Sequence, residues 1–309
     1  MKTNPIVKNA ATSLSEGSVA GVSPAKRRGL GQHPIIKKAT VAIGYLVVIG
    51  FLLISVFPFF WMIVTSIKPS AEIFGVGAFR IIPDNPTIGS YTSVIFDHNI
   101  LRSVANSFIV SAITMFYVVA IASMSAYIIS RCNFKGKSLL MGFILSISMF
   151  PQMIIVGPIF NMFHRFSMLN SFWIVLPYST ITLPIAVWIM VTHFKRIPLS
   201  VEEAANIDGC SPWRTLWQII FPLAAPGVFT TGIMTFIAAW NEFLLASTLN
   251  VNIRFHTVPV AINALRTQFV ILWGEITAAT VIVIIPTLLI VLLFQKQIIS
   301  GIISGAVKE

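Results

Sequence analysis

The sequence predicts an all-α integral membrane protein with six transmembrane helices. Three observations carry that prediction. Of the 309 residues, 56% are hydrophobic and only 10% are charged, against about 25% charged in an average soluble domain. Charged residues are absent from 39–67, 103–130, 138–164, 166–194, 215–241 and 276–295, and each stretch is long enough for the roughly 20 residues that cross a bilayer as helix. Placing the N-terminus inside, fifteen of the 21 Lys and Arg residues fall in inner segments and six in outer ones, which is the bias that orients membrane helices. Both termini are then expected in the cytoplasm of a multi-pass protein of the cytoplasmic membrane. The net charge of +11 is spread over these loops rather than gathered on one face, which excludes nucleic acid as the partner it serves.

In chain order, residues 1–34 are rich in Ser, Gly, Ala, Lys and Pro without a helical period, and are expected to form a disordered cytoplasmic tail. They are not a signal peptide, because the apolar run begins too late and continues too long. Residues 35–300 are expected to form the transmembrane domain, with spans at about 39–67, 103–130, 138–164, 171–194, 223–247 and 274–296. Lys37 and Lys38 flank the first span, where they meet anionic lipid headgroups. That span ends in Phe57-Pro58-Phe59-Phe60-Trp61, a cluster suited to the membrane interface. The third span carries Pro151 and Pro158, the fourth Pro177 and Pro184, and the sixth Pro286, so kinks are expected there. Residues 301–309 are expected to form a second cytoplasmic tail.

Nothing predicts chemistry on this chain. Gly136-Lys137-Ser138 ends like a phosphate-binding loop, but the glycine required five positions before Gly136 is replaced by Arg131, so the nucleotide motif is missing. His33, His98, His164, His193 and His256 show no metal-ligand spacing. Cys132 and Cys210 both fall in inner loops, a reducing location that implies no disulfide. No catalytic residue, cofactor or metal is assigned to the chain.

Two places carry candidate functional residues. Asn241 and Glu242 lie on the order of 20 Å along the fifth span. An ionisable residue at that depth is either on the translocation path or an anchor that reaches the outer interface. The other place is the inner segment IPLSVEEAANIDGCSPWRTLWQIIFPLAAPG from Ile197 to Gly227. Ser200 and Glu203 are spaced as a capping box, Pro198 sets a helix start, and Gly209 supplies a helix end. Ser211 followed by Pro212 starts a second helix, with Trp213, Leu216, Trp217 and Ile220 on one face. From this local pattern alone, two short amphipathic helices lying on the membrane surface remain an equal reading.

The full spacing decides between them. Glu203-Ala204-Ala205, three residues, Gly209, then Ile219-Ile220-Phe221-Pro222 resembles the EAA loop of ABC importer permeases, with Asp208 matching the common form and Phe221 replacing the usual Leu. FPFFWMIVTSIKPSAEIF from Phe57, AWNEFLLA from Ala239 and the terminal GAVKE are similar to carbohydrate-uptake permeases, in particular the second, shorter permease of maltose/maltodextrin-type importers. The resemblance implies a type I ABC importer permease fold with a cytoplasmic coupling helix between helices 4 and 5. It implies a second homologous permease as heterodimer partner, two copies of a cytosolic ATPase that bind ATP and Mg, and an extracytoplasmic solute-binding protein. Glu203, Ala204, Ala205, Asp208 and Gly209 would dock on the ATPase, and Gly305, Ala306, Val307, Lys308 and Glu309 would reach it from the tail. The implied function is carbohydrate import by alternating access. Import of another solute, or secondary transport driven by ion sites deep in the spans, are the alternatives.

Overall fold

A computed structural model describes residues 34–75, 77–266 and 271–306. The chain divides into two compact units, Met1–Phe57 and Pro58–Glu309. The described residues are helical apart from loops and one isolated antiparallel bridge, Arg266 to Ile271. In order, the helices are α1 (Pro34–Ser66), α2 (Ser70–Ile73), α3 (Gly89–Phe96), α4 (Ile100–Arg131), α5 (Lys137–Ser148), α6 (Gln152–Arg165), α7 (Val175–Phe194) and α8 (Leu199–Ile207). There follow α9 (Pro212–Arg214), which runs through a π-helical stretch into α10 (Phe221–Leu223), then α11 (Ala225–Trp240), α12 (Leu244–Leu249), α13 (Val258–Ala264) and α14 (Trp273–Ala306).

Four helical stretches are long and apolar enough to cross a membrane unaided: Thr40–Ser66, Ile100–Arg131, Phe172–Phe194 and Trp273–Gln295. Counting each of two bent pairs as one span brings the total to six. Lys137–Ile147 and Gln152–Arg165 meet at 85°, and Pro212–Leu223 and Ala225–Trp240 meet at 83°. The first bend exceeds the kink expected in span three: the helix stops altogether, and extended Pro151 caps its second half. Span five also differs from expectation, because α11 ends at Trp240 rather than near 247. Helix α14 continues through Ala306, past the residue-301 boundary expected for the tail. The expected N-terminal tail falls almost wholly on residues outside those described.

The second unit is built around α4, which packs along α7 and α11. Its buried face reads Ser103, Asn106, Ser107, Val110, Ser111, Thr114, Val118, Ala122, Ser123, Ala126 and Ile129, a spacing of three and four that lines one side of a helix. These residues are mostly small or hydroxylated, the types that let helices approach closely and bond to one another in lipid. Ser123 Oγ is satisfied within α4 itself, donating to the carbonyl of Val119 one turn back at 2.6 Å. The exposed side chains are large and apolar, among them Phe108, Phe116, Trp188 and Leu293. Hydroxyls along the α4 seam under an apolar exterior match a hydrocarbon surround.

Among the described residues, apolar packing in this bundle falls into three clusters. At the end near α8, Val118, Ala122 and Ala126 of α4 meet Ala186, Met190 and Phe194 of α7, with Leu216 and Ile220 from the π stretch. At the far end, Val94, Ile100, Phe236, Trp240, Val258, Ala278 and Val283 form one cluster. Val110, Phe163, Tyr178, Leu245 and Leu249 form another.

Candidate functional site

Helix α8 begins after extended Pro198, and no side chain caps it. The expected Ser200–Glu203 capping box is therefore absent: with Pro198 as the boundary, Ser200 already lies inside the first turn. The expected end of the helix is present. Gly209 has φ +78°, its N–H donates to the carbonyl of Asn206 at 3.0 Å, and the N–H of Cys210 donates to the carbonyl of Ala205 at 2.9 Å. These two bonds form the Schellman closure that a left-handed glycine permits. The second start is present too, with extended Ser211 before Pro212 and the Ser211 Oγ accepting from the N–H of Arg214.

The two sides of α8 differ sharply. Glu202 and Ala205 are buried, whereas Glu203, Ala204, Ile207, Asp208 and Gly209 are exposed. Ala205 was expected to present surface to a partner; it turns inward, and at 3% exposure its small size serves packing within this chain. Ile207 was not singled out from the sequence, yet it is 86% exposed. It lies three residues from Ala204 and so on the same side of the helix, and that spacing was the available signal.

Glu202 was also missed. Its carboxylate forms an ion pair with Arg131, the last residue of α4. Tyr127 Oη donates to Glu202 Oε2 at 3.2 Å, and Arg131 Nη2 donates to the carbonyl of Ile197 at 3.0 Å. The Arg131 and Glu202 side chains are 9% and 11% exposed. After α8, Leu216 and Ile220 are buried as their period predicts, but Trp213 is exposed. The π stretch takes more residues per turn than an α-helix and rotates Trp213 off the buried face. Trp213, Trp217 and Phe221 instead form a row of edge-on and tilted rings, with centroids 5.7 and 5.0 Å apart.

The structure separates Asn241 from Glu242. Asn241 is exposed, and its Nδ2 donates back to the carbonyl of Ile237 at 2.9 Å. Glu242 is 7% exposed, and its two carboxylate oxygens accept from the N–H groups of Leu245 at 2.8 Å and Ala246 at 3.0 Å. Tyr178 of α7 adjoins this carboxylate. Glu242 therefore starts α12 by satisfying its first free donors, and it does not reach out to an interface. The path reading keeps only Asn241 on an open surface.

Gly305 and Ala306 form the last turn of α14, while Val307, Lys308 and Glu309 lie outside the described residues. Among the described residues, no three His, Cys, Asp or Glu side chains gather as metal ligands.

Residues 118–304 match the model of the binding-protein-dependent transport system inner membrane component family, a span that takes in α8, its exposed edge and Glu242. The chain belongs to this family of ABC importer permeases. The trehalose/maltose transport system permease protein MalG of Thermococcus litoralis is 38% identical over 281 residues, covering 90% of this chain and 99% of that protein. The trehalose transport system permease protein SugB of Mycobacterium tuberculosis is 36% identical, covering 84% and 94%. The sulfoquinovosyl glycerol transport system permease protein SmoH of Agrobacterium fabrum is 35% identical, covering 82% and 88%. A chain in the crystal structure of a bacterial ABC transporter involved in the import of the acidic polysaccharide alginate shares the fold. It superposes with a TM-score of 0.68 at 22% identity, covering 84% of this chain and 97% of that one. Members of this permease family are multi-pass inner-membrane subunits that catalyse nothing themselves, and the family implies a complex with an ATPase and a binding protein.

Proposed function

We propose that this chain is the permease subunit of an ATP-driven importer that carries a carbohydrate across the cytoplasmic membrane by alternating access, with α8 as its contact to the ATPase. One observation carries the contact: α8 is held to the bundle along one side and presents Glu203, Ala204, Ile207, Asp208 and Gly209 on the other. Ile207 supplies an apolar knob flanked by two carboxylates, a surface suited to a cleft with a basic rim. The carbohydrate class is supported by the relatives, which include a trehalose/maltose permease, a trehalose permease and a sulfoquinovosyl glycerol permease.

The complete transporter would hold a second homologous permease, two ATPase copies with ATP and Mg, and an extracytoplasmic binding protein. Both termini and α8 would lie in the cytoplasm, on the same side of the membrane domain. Gly305, Ala306, Val307, Lys308 and Glu309 would approach the ATPase from the tail. Closure of the ATPase dimer would draw the docked helices together and open the cavity outward, where Asn241 is the candidate path residue.

Two experiments test this. Ala204→Trp adds bulk to the exposed side of α8 and should leave the permease inserted while releasing the ATPase on purification; retention of the ATPase sinks the contact. In cells with the outer layers opened, exposed Cys132 should resist an impermeant thiol reagent while Asn85→Cys reacts. Labelling of Cys132 from outside overturns the orientation.

A further inference from the structure

Helix α8 is joined covalently to α7 and, through the π stretch, to α11, yet its only buried charge is fastened to α4. Arg131 ends α4, and Tyr127 precedes it by four residues, so both project from one side of that helix. Together they hold two points: Glu202 in the first half of α8, and the carbonyl of Ile197 in the loop that enters it. A helix of nine residues has little stability of its own. Buried charges resist separation, because parting them leaves each desolvated and unpaired. The clamp thus fixes α8 in register on α4.

The other end of α4 holds a loop in the same manner. Asn106 Nδ2 donates to the carbonyls of Arg254 at 2.9 Å and His256 at 3.0 Å, and Ser107 Oγ accepts from the N–H of Val258 at 2.8 Å. Between these anchors and Arg131, α4 runs about 38 Å at 1.5 Å per residue. It contains neither Pro nor Gly. Each of the other long helices does: Pro58 in α1, Pro177 and Pro184 in α7, Gly227 and Gly232 in α11, and Pro286 in α14. Sharp bends arise at such residues, so α4 is the stiffest connection between the two ends of the bundle.

We propose that Arg131 and Glu202 are positioning residues that lock the docking helix to α4, and that α4 carries its displacement as a rod to the Arg254–Val258 loop at the far end. The proposal rests on α8 being the ATPase contact. It assigns conformational transmission to a pair that touches neither ATPase nor solute.

The test uses the complete transporter in proteoliposomes, with its ATPase and loaded binding protein. Glu202→Gln removes the charge and keeps the size. The ATPase should stay bound through purification and hydrolyse ATP at the unstimulated rate, while stimulation by the binding protein falls about tenfold, within the range of ordinary allosteric couplings. The charge exchange Arg131→Glu with Glu202→Arg should restore stimulation to within about threefold, since coupled neighbours compensate when they interact directly. Unchanged stimulation in Glu202→Gln overturns the proposal. So does loss of the ATPase from that variant, or an exchanged pair no better than the single change. Ala204→Trp, run alongside, separates the two ideas: if it too keeps the ATPase, the docking reading has failed rather than the rod.

Discussion

Two segments that interrupt the long helices each carry a pair of adjacent polar residues, Glu202-Glu203 in α8 and Asn241-Glu242 between α11 and α12. In each pair one side chain is buried and the other exposed. Glu202 is paired with a cation from another helix, whereas Glu242 rests on two backbone N–H groups and a neighbouring phenol. The difference reflects what each segment must do. At α8 a short helix has to be tied to a distant element, and only a long side chain such as Arg131 can span the gap. At Glu242 the chain has to start a new helix at a buried position, where its free donors need a partner within the protein. In both places the buried member sets the local shape, and the exposed member is the one able to meet a partner or a solute.

The largest effects should separate the members of each pair. Glu202→Ala leaves Arg131 charged, buried and unpaired, a loss on the order of 3 kcal/mol, whereas Glu203→Ala should fall within about 0.5 kcal/mol, as exposed substitutions do. Thermal unfolding in detergent, followed by tryptophan fluorescence, compares them directly. A larger loss for Glu203→Ala would reverse the assignment of buried and exposed roles.

Glu242→Ala comes next. It strips acceptors from the N–H groups of Leu245 and Ala246, and each buried donor left unpaired costs about 1–3 kcal/mol. Asn241→Ala should leave the unfolding midpoint unchanged and lower solute uptake. If Glu242→Ala is as stable as the parent, its carboxylate is not the support of α12. If Asn241→Ala takes up solute at the parent rate, Asn241 is not on the path.

The parts of this arrangement that were legible in the sequence are the local ones. Runs without charge marked the spans, and Gly209, Ser211 and Pro212 marked where one short helix ends and the next begins, because each acts on its own backbone. Four features needed the fold. Glu202 and Arg131 are far apart in sequence, so no periodicity links them. Ala205 and Ala204 look alike in a motif, and only packing shows that one faces inward. Glu242 reads equally as path residue, anchor or cap until its carboxylate meets the N–H groups that follow it. Pro151 shows where a backbone donor is lost, but the 85° turn depends on what packs around the break.

The smallest effects concern two glycines on either side of the π stretch, and they sharpen the contrast between buried and exposed. At Gly227 in α11, an added Cβ would lie 2.3 Å from Cγ and 2.7 Å from Cβ of His193. Gly227→Ala must therefore push α11 and α7 apart, at about 1–3 kcal/mol for an overfilled contact. At Gly209 an added Cβ meets nothing within 4 Å, so only the backbone resists. With φ at +78°, Gly209→Ala should cost about 1 kcal/mol, the usual penalty for an L-residue held in the left-handed region. The same methyl group thus tests packing at one site and conformation at the other. Gly209→Asn distinguishes them further, since asparagine tolerates that region better than alanine and should recover part of the loss there. Measured by unfolding, an Asn variant less stable than the Ala variant would mean that the space beyond Gly209 is filled, and that the exposed edge of α8 is not open as described.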